Sequence, residues 1–166
     1  MKTLIYRATL TLAIPFGIAS LQASSAAPAY AGGVLRDAKA PHLVHSNAHP
    51  NNARIQNATH HFQVHVQGSD LSQLFVDVPE GIRLSDRIVV TDESGKKVNA
   101  KTSIDDKRVT ITFEQPVPSG TTLSVSIKGV STRFLSRGHV WLYSIYGRSV
   151  GMTEDVRIGL ARIQTY

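Results

Sequence analysis

The chain has 166 residues, a formal net charge of +6 and no cysteine. This length supports one domain with a sizeable core rather than two. The absence of cysteine excludes disulfide bridges and a lipidated lipoprotein cysteine, so packing alone must stabilise the fold. The positive charge is mild compared with that of nucleic-acid-binding domains, and we expect no nucleic-acid partner.

Residues 1–31 have the organisation of a secretory signal peptide. Lys2 and Arg7 form a positive n-region, residues 8–21 are mostly apolar, and residues 29–31 read Ala-Tyr-Ala before Gly32. The apolar run is shorter than the roughly 20 residues that a membrane-spanning helix needs. We therefore predict cleavage before Gly32, export of the protein, and no transmembrane span in the mature chain.

Residues 32–59 show little hydrophobic periodicity and are rich in Ala, Asn, His and Pro. The run at 46–52, Ser-Asn-Ala-His-Pro-Asn-Asn, offers no face that could be buried. This composition predicts a flexible arm rich in histidine and asparagine.

From residue 60 onward, apolar and polar residues alternate, which is typical of half-buried strands. Apolar residues recur at every second position, and turn residues separate the runs at spacings of roughly 10 residues. The pattern predicts an all-β antiparallel, immunoglobulin-like sandwich of about seven to eight short strands over residues 60–166. The apolar residues that alternate along one face of each strand are Phe62, Val64, Val66; Leu74, Val76, Val78; Val109, Ile111, Phe113; Leu123, Val125, Ile127; Trp141, Tyr143, Ile145; and Val156, Ile158, Leu160, before a tail at 161–166.

Five segments of this region carry a likeness to a known family. They are residues 74–81, 88–92 and 113–123, the Val-Trp-Leu-Tyr run at 140–143, and the closing run at 161–166. Over about residues 60–166 the chain resembles an uncharacterised family of exported cyanobacterial proteins, classed as a domain of unknown function. The resemblance implies an envelope or secreted protein and assigns no catalytic or binding residue. The histidine-rich arm lies outside it.

The histidines are the most chemically suggestive set of residues. Six of the seven fall between positions 42 and 65. Neutral imidazoles bind Cu(II), Zn(II) and Ni(II). Candidate ligands are His42, His45 and His49, which would share one face of a helix, and His61 and His65, which share the solvent side of a strand with Gln63.

A metal motif is nevertheless missing from this region. The sequence contains no Cys-x-x-Cys or His-Glu-x-x-His motif, and no acidic residue lies between His42 and His65. Carboxylates commonly complete or orient such sites. Solvated histidines in a flexible arm are the alternative interpretation.

A second candidate surface combines aromatic and basic residues near residue 140. Trp141 and Tyr143 share a strand face that could stack on a sugar, while Arg133, Arg137 and Arg148 flank that strand and could hold carboxylates. The alternative interpretation is that Trp141 packs into the core and the arginines are solvated.

No set of residues predicts catalysis. A Gly-x-Ser-x-Gly motif is absent, and the carboxylates of Asp105 and Asp106 are explained by the polarity of a turn. We therefore expect an exported, non-catalytic binding or structural module of the periplasm, cell surface or extracellular space. Its expected partners are an anionic envelope polysaccharide or another envelope protein. The alternative is periplasmic metal binding through the histidine-rich arm, and no other cofactor is expected.

Overall fold

The computed structural model describes residues 39–132 and 139–166, and in them every regular element is a β-strand. The predicted signal peptide lies outside these residues and stays a prediction. An all-β antiparallel sandwich is confirmed, with ten strands in the described chain rather than seven or eight. These are β1 (His42–His49), β2 (Ala58–His65), β3 (Leu71–Asp77), β4 (Ile82–Arg83), β5 (Ile88–Thr91), β6 (Ala100–Asp105), β7 (Arg108–Val117), β8 (Thr122–Thr132), β9 (His139–Ser149) and β10 (Val156–Thr165).

The strands form two antiparallel sheets. In the first, here called sheet A, β1 pairs with β2 and β2 with β8, while β5 and the short β4 both pair with β8 along its other edge. In the second, sheet B, the order is β10-β9-β3-β7-β6. No helix long and apolar enough to cross a membrane occurs in the described part of the chain.

The core lies between the two sheets and is built from the alternating positions. Phe62 and Val64 of β2 are fully buried, as are Val125 of β8, Val76 of β3 and Ile145 of β9. Because successive side chains of a strand point to opposite faces, each run of alternating residues supplies one face to this core. The alternating residues predicted to share a face in β2, β3, β7, β8 and β9 do so, and that face points into the core.

The expectation of a flexible arm is wrong for residues 42–49. These residues form β1, which pairs antiparallel with β2. The pairing register shifts between Leu43 and His45. Such a bulge breaks the period-2 pattern and so hides the strand from sequence reasoning. Residues 32–38 lie outside the described residues.

The C-terminal residues are a second correction. Residues 161–165 belong to β10 instead of forming a tail, and a register shift lies between Arg157 and Gly159. This shift turns Ala161 and Ile163 inward, where they are almost fully buried, and leaves Leu160 42% exposed. Because the register is irregular, a strict alternation rule again assigns the wrong residues to the inward face.

Candidate functional site

The outer face of sheet A gathers the five histidines singled out as metal ligands. His42 lies opposite His65, and after the bulge His45 lies opposite Gln63 and Asn47 opposite His61. Since β2 turns its even-numbered residues inward, its odd-numbered residues project outward, and the β1 residues paired with them project outward as well. We call this surface the histidine face: His42, His45, Asn47 and His49 of β1, His61, Gln63 and His65 of β2, and Thr122, Ser124 and Ser126 of β8.

His42, His45 and His49 therefore share a strand face, and the expectation that they share a helical face is wrong. On a regular strand, the side chains of His42 and His45 would point to opposite faces, because the two residues are three positions apart. The bulge between Leu43 and His45 restores them to one side.

The imidazoles on this face occur mainly in neighbouring pairs. The rings of His42 and His65 have centroids 5.3 Å apart. The pKa of His61 is lowered from its usual value by burial and by the nearby His45. His65 is held on both sides: its Nδ1 lies 3.0 Å from Thr122 Oγ1 and its Nε2 lies 3.0 Å from Gln67 Oε1.

This arrangement does not assemble a complete metal site from the predicted ligands. Within residues 39–132 and 139–166, no group of three or more His, Asp or Glu side chains is placed to hold a metal ion. Both ring nitrogens of His65 already have hydrogen-bond partners, and the Nδ1 of His61 lies 3.2 Å from Ser126 Oγ. A metal ion would have to displace these contacts.

The second predicted surface is not assembled in the described residues. Trp141 is 3% exposed and Tyr143 is fully buried, so both belong to the core and cannot stack on a ligand at the surface. The core interpretation of Trp141 is correct, because its strand turns odd-numbered residues inward. Arg133 and Arg137 lie outside the described residues.

Arg148 lies on the outer face of sheet B, where it is already paired. Its guanidinium contacts Asp155 Oδ1 at 2.6 and 3.0 Å and donates to Gln73 Oε1 at 2.8 Å. It also lies over the ring of Phe75, with its Cζ 5.1 Å from the centroid. Arg148 is thus held in a network of sheet B, and a ligand carboxylate would compete with Asp155.

Asp77 and Arg108 extend the same network along sheet B. Arg108 donates to both carboxylate oxygens of Asp77, at 2.7 and 3.1 Å, and its Nη1 lies 3.5 Å from Asp155. The hydrogen bond that Arg108 donates to Asp77 raises the pKa of Arg108 above its usual value. These ion pairs hold the side chains of the outer face of sheet B in place. They do not bring two unpaired carboxylates together.

Sequence reasoning missed a buried polar pair that links the two sheets. The Nδ1 of His60 in β2 lies 2.7 Å from the hydroxyl oxygen of Tyr143 in β9, and the exposed fractions are 1% and 0%. Burial lowers the pKa of His60 from 6.5 to about 4 and raises that of Tyr143. The signal was present, since His60 shares the inward parity of Phe62, but its partner is 83 positions away.

Two of the cavities on the described surface are lined by no histidine. The larger, of about 640 Å³, lies beside the turn at Asp92 and the segment 114–118. The carboxylate of Asp92 is engaged there by the backbone N–H groups of Ser94 and Lys96, which is a turn cap rather than a cation site. The smaller, of about 150 Å³, lies between Lys39, Leu71 and Ile158.

Comparison with solved structures identifies the fold as an immunoglobulin-like sandwich. The chain is similar to the major pilin subunit BcpA of Bacillus cereus, with 11% identity, a TM-score of 0.53, and coverage of 75% of this chain and 40% of that one. It is similar to the N-terminal domain of the Streptococcus gordonii adhesin Sgo0707, with 10% identity, a TM-score of 0.51, and coverage of 76% and 32%.

A collagen-binding domain from a Staphylococcus aureus adhesin matches with 11% identity and a TM-score of 0.43, covering 76% of this chain and 96% of that one. The chain spans less than half the length of the pilin and of the Sgo0707 domain. At these identities the likeness concerns the fold alone. No curated protein matches the sequence.

A family model matches residues 34–132, which is more than half of the chain. The match begins before β1 and ends at residue 132. It therefore includes most of the histidine-rich arm, which was placed outside the resemblance, and does not extend over residues 133–166, which were placed inside it. The chain belongs to the family described as protein of unknown function, DUF2808.

Proposed function

We propose that this protein is an exported, non-catalytic binding module of the cell envelope or extracellular space, and that the histidine face of sheet A is its contact surface. The observation that carries the proposal is the gathering of five outward histidines with Asn47, Gln63 and three hydroxyl side chains on adjacent strands. The signal-peptide pattern at residues 1–31 supports export. The resemblance of residues 60–166 to exported cyanobacterial proteins supports a photosynthetic bacterium as the source.

A non-catalytic role is supported by the placement of the reactive side chains. A general base must reach its substrate, usually within a cleft. His60 and Tyr143 are sealed in the core, Arg108 and Arg148 are paired with carboxylates, and the linings of the two described cavities contain no histidine. A polar sheet face is instead suited to contact with an extended polymer or another protein.

The test is sedimentation of the purified protein with isolated bacterial envelope fragments. We expect the protein to sediment with the fragments, and the double variant Asn47→Glu/His49→Glu to lose most of this binding because it places two carboxylates on the histidine face. The matched control is Ser103→Glu/Gln115→Glu, which also replaces two exposed uncharged side chains by carboxylates, on β6 and β7 of sheet B. Wild-type protein that stays in the supernatant, or equal binding by both variants, would refute the proposal.

Metal binding through His42, His45, His49, His61 and His65 is the alternative function. The close approach of the His42 and His65 rings favours it, whereas the hydrogen bonds on His65 oppose it. A ligand that binds only the folded state raises its stability. A gain in melting temperature with Cu(II), Zn(II) or Ni(II) that disappears in His42→Ala/His65→Ala would favour metal handling over the proposed contact surface.

A further inference from the structure

The edges of the two sheets are closed to different degrees. The edge strands β1 and β10 meet, and the hydroxyl of Ser46 donates there to the carbonyl of Arg162. The outer edge of β5 is covered by the segment that follows its turn, since the N–H of Val98 donates to the carbonyl of Val90 at 2.9 Å. The edge strand β6 of sheet B pairs with β7, and no described residue pairs with its other side. An edge of this kind can accept a further strand.

The backbone of β6 directs every second residue toward this open edge. The N–H of Glu114 donates to the carbonyl of Asn99, just before β6, at 3.1 Å. Because hydrogen-bonding groups alternate in direction along a strand, the odd-numbered residues of β6 face β7. The N–H and C=O groups of Ala100, Thr102 and Ile104 therefore point outward. Each of these residues offers one donor and one acceptor to a second strand.

The side chains of β6 are self-complementary in charge. Lys101, Ser103 and Asp105 are exposed and lie opposite the β7 residues that face away from the core. Neither Lys101 nor Asp105 forms an ion pair with another described residue. The two charges lie at equal distances on either side of Ser103. A two-fold axis through Ser103 therefore places each charge opposite its counterpart.

We propose that β6 pairs antiparallel with β6 of a second copy of this chain, so that two five-stranded sheets B join into one sheet of ten strands. In this dimer Lys101 of each copy lies opposite Asp105 of the other, and Ser103 lies on the two-fold axis. Thr102 of each copy exchanges backbone hydrogen bonds with Ile104 of the other. The same strand forms both sides of the contact, as in the isologous interfaces of two-fold homodimers.

Hydrogen bonding and charge select the same register. Thr102 and Ile104 form hydrogen-bonded pairs in it, whereas Lys101 and Asp105 form non-hydrogen-bonded pairs, in which cross-strand side chains come closest. Shifting one strand by two residues places Lys101 or Asp105 opposite Ser103 and loses both ion pairs. A shift of four residues places like charges opposite each other, which is unfavourable.

Self-complementarity favours a second copy of the chain over an unrelated partner strand. The contact consists of one short strand from each copy, which is small for a specific protein interface. We therefore expect a reversible dimer with a dissociation constant on the order of 10–100 µM. The side chain of Ile104, which is 39% exposed, becomes partly covered by Thr102 of the second copy.

Sedimentation equilibrium of the full-length protein, from about 1 µM to about 1 mM, measures this association. Lys101→Asp brings carboxylates together at both ends of the contact, and Asp105→Lys brings ammonium groups together there. Each variant alone should dissociate at least about tenfold more readily than the wild type. An equimolar mixture of the two variants should associate like the wild type, because opposite charges then meet at both ends.

The matched control is Lys128→Asp, which makes the same charge change at an exposed position of β8 in sheet A. It should associate like the wild type. A wild-type protein that is monomeric at every concentration would overturn the proposal. So would single variants that associate as tightly as the wild type, or a mixture that associates no better than its components.

A cysteine at position 103 tests the register. The chain has no cysteine, so Ser103→Cys adds one thiol to each copy. The Cα atoms of a non-hydrogen-bonded pair lie about 4.5 Å apart, within reach of a disulfide. The oxidant diamide takes up the two thiol hydrogens and should link Ser103→Cys into a covalent dimer. Thr110→Cys is the control, because Thr110 lies beside Ser103 on β7, about 14 Å from its own copy. Equal cross-linking of both variants would overturn the proposed strand pairing.

The variant Ser103→Glu/Gln115→Glu separates this dimer from the contact surface of the proposed function. It brings two carboxylates together at the two-fold axis and should be monomeric. It should still sediment with envelope fragments, because the histidine face is unchanged. A variant that dimerises like the wild type would overturn the pairing of β6, whereas a monomeric variant that no longer binds fragments would count against the contact surface alone.

Discussion

At the scale of single residues, the pair of His60 and Tyr143 is the most informative feature of the core. Both side chains are buried, and the 2.7 Å hydrogen bond between them joins β2 of sheet A to β9 of sheet B. Polar groups in such a site are stable only while they satisfy each other. Because the pKa of His60 falls to about 4, the imidazole is neutral in the folded protein at neutral pH.

His60 should make folding stability depend on pH. Between pH 6.5 and about 4 the unfolded chain binds a proton at this position and the folded chain does not, so stability falls as the pH falls through this window. The full loss is about 3 kcal/mol, and no loss is expected above pH 6.5. Urea denaturation at several pH values measures it.

The variant His60→Gln should reduce this pH dependence, because glutamine does not titrate. The control His45→Gln changes an exposed imidazole and should retain most of the wild-type dependence. Equal slopes for wild type and His60→Gln would contradict the assignment to His60.

Removing the hydroxyl of Tyr143 should destabilise the protein. The variant Tyr143→Phe leaves the Nδ1 of His60 without its partner in the core, at a cost of about 1–3 kcal/mol. The double variant His60→Leu/Tyr143→Phe should regain part of that loss, since both polar groups are then gone. Tyr146→Phe, on the outer face of β9, is the matched control and should change the free energy of unfolding by less than about 0.5 kcal/mol. A Tyr143→Phe variant as stable as this control would refute the role of the pair.

At the scale of elements, β1 is held in place at its start by a close backbone approach. Gly68, in the turn between β2 and β3, has a φ of +81°, and a Cβ on it would lie 2.6 Å from the carbonyl oxygen of Lys39. Glycine is therefore required there for two reasons, its left-handed backbone and the lack of space for a side chain.

Gly68→Ala should cost more stability than Gly151→Ala. Gly151 has nearly the same φ, +80°, but a Cβ on it would meet nothing within 4 Å. Gly151→Ala thus measures the conformational penalty alone, about 1–2 kcal/mol. We expect at least about 1 kcal/mol more for Gly68→Ala in urea denaturation, from the clash with the strand leading into β1. Equal losses would show that the approach of Lys39 does not restrain β1.

At the scale of the whole molecule, β1 and β10 form the seam where one side of the sandwich closes. The hydroxyl of Ser46 donates to the carbonyl of Arg162 at 2.8 Å, and the backbone N–H of Ala53 donates to Tyr166 at 2.7 Å. The side chain of Leu43 packs over Gly159, where a Cβ would lie 2.9 Å from its Cδ1. Residues 42–53 therefore belong to the same packed body as the C-terminal strand.

A chain that begins at Thr59 should be much less stable than one that begins at Gly32. It loses β1 and the seam and leaves the edge of β2 that paired with β1 open, which favours self-association. Loss of about 3 kcal/mol of packing and hydrogen bonding would lower the melting temperature by roughly 10 °C. Melting curves with light scattering measure both effects. Equal melting temperatures would support a flexible arm and contradict the strand assignment.

The sequence by itself determined which residues of β2, β3, β7, β8 and β9 face inward. Side-chain direction in a regular strand alternates residue by residue, so this information is local and needs no knowledge of the partner strand. The same rule placed His61 and His65 on the solvent side and Trp141 and Tyr143 on a common face. The parity of His60 with Phe62 carried the same signal for burial, but His60 was not predicted to be buried.

Only the tertiary structure decided where the pattern is interrupted and which distant residues meet. The bulges in β1 and β10 shift the register at positions where alternation predicts no strand or the wrong inward residues. The links from His60 to Tyr143 and from Ser46 to Arg162 join residues 83 and 116 positions apart. The histidine face depends on both effects, because a bulge aligns the β1 imidazoles and strand pairing sets them beside those of β2.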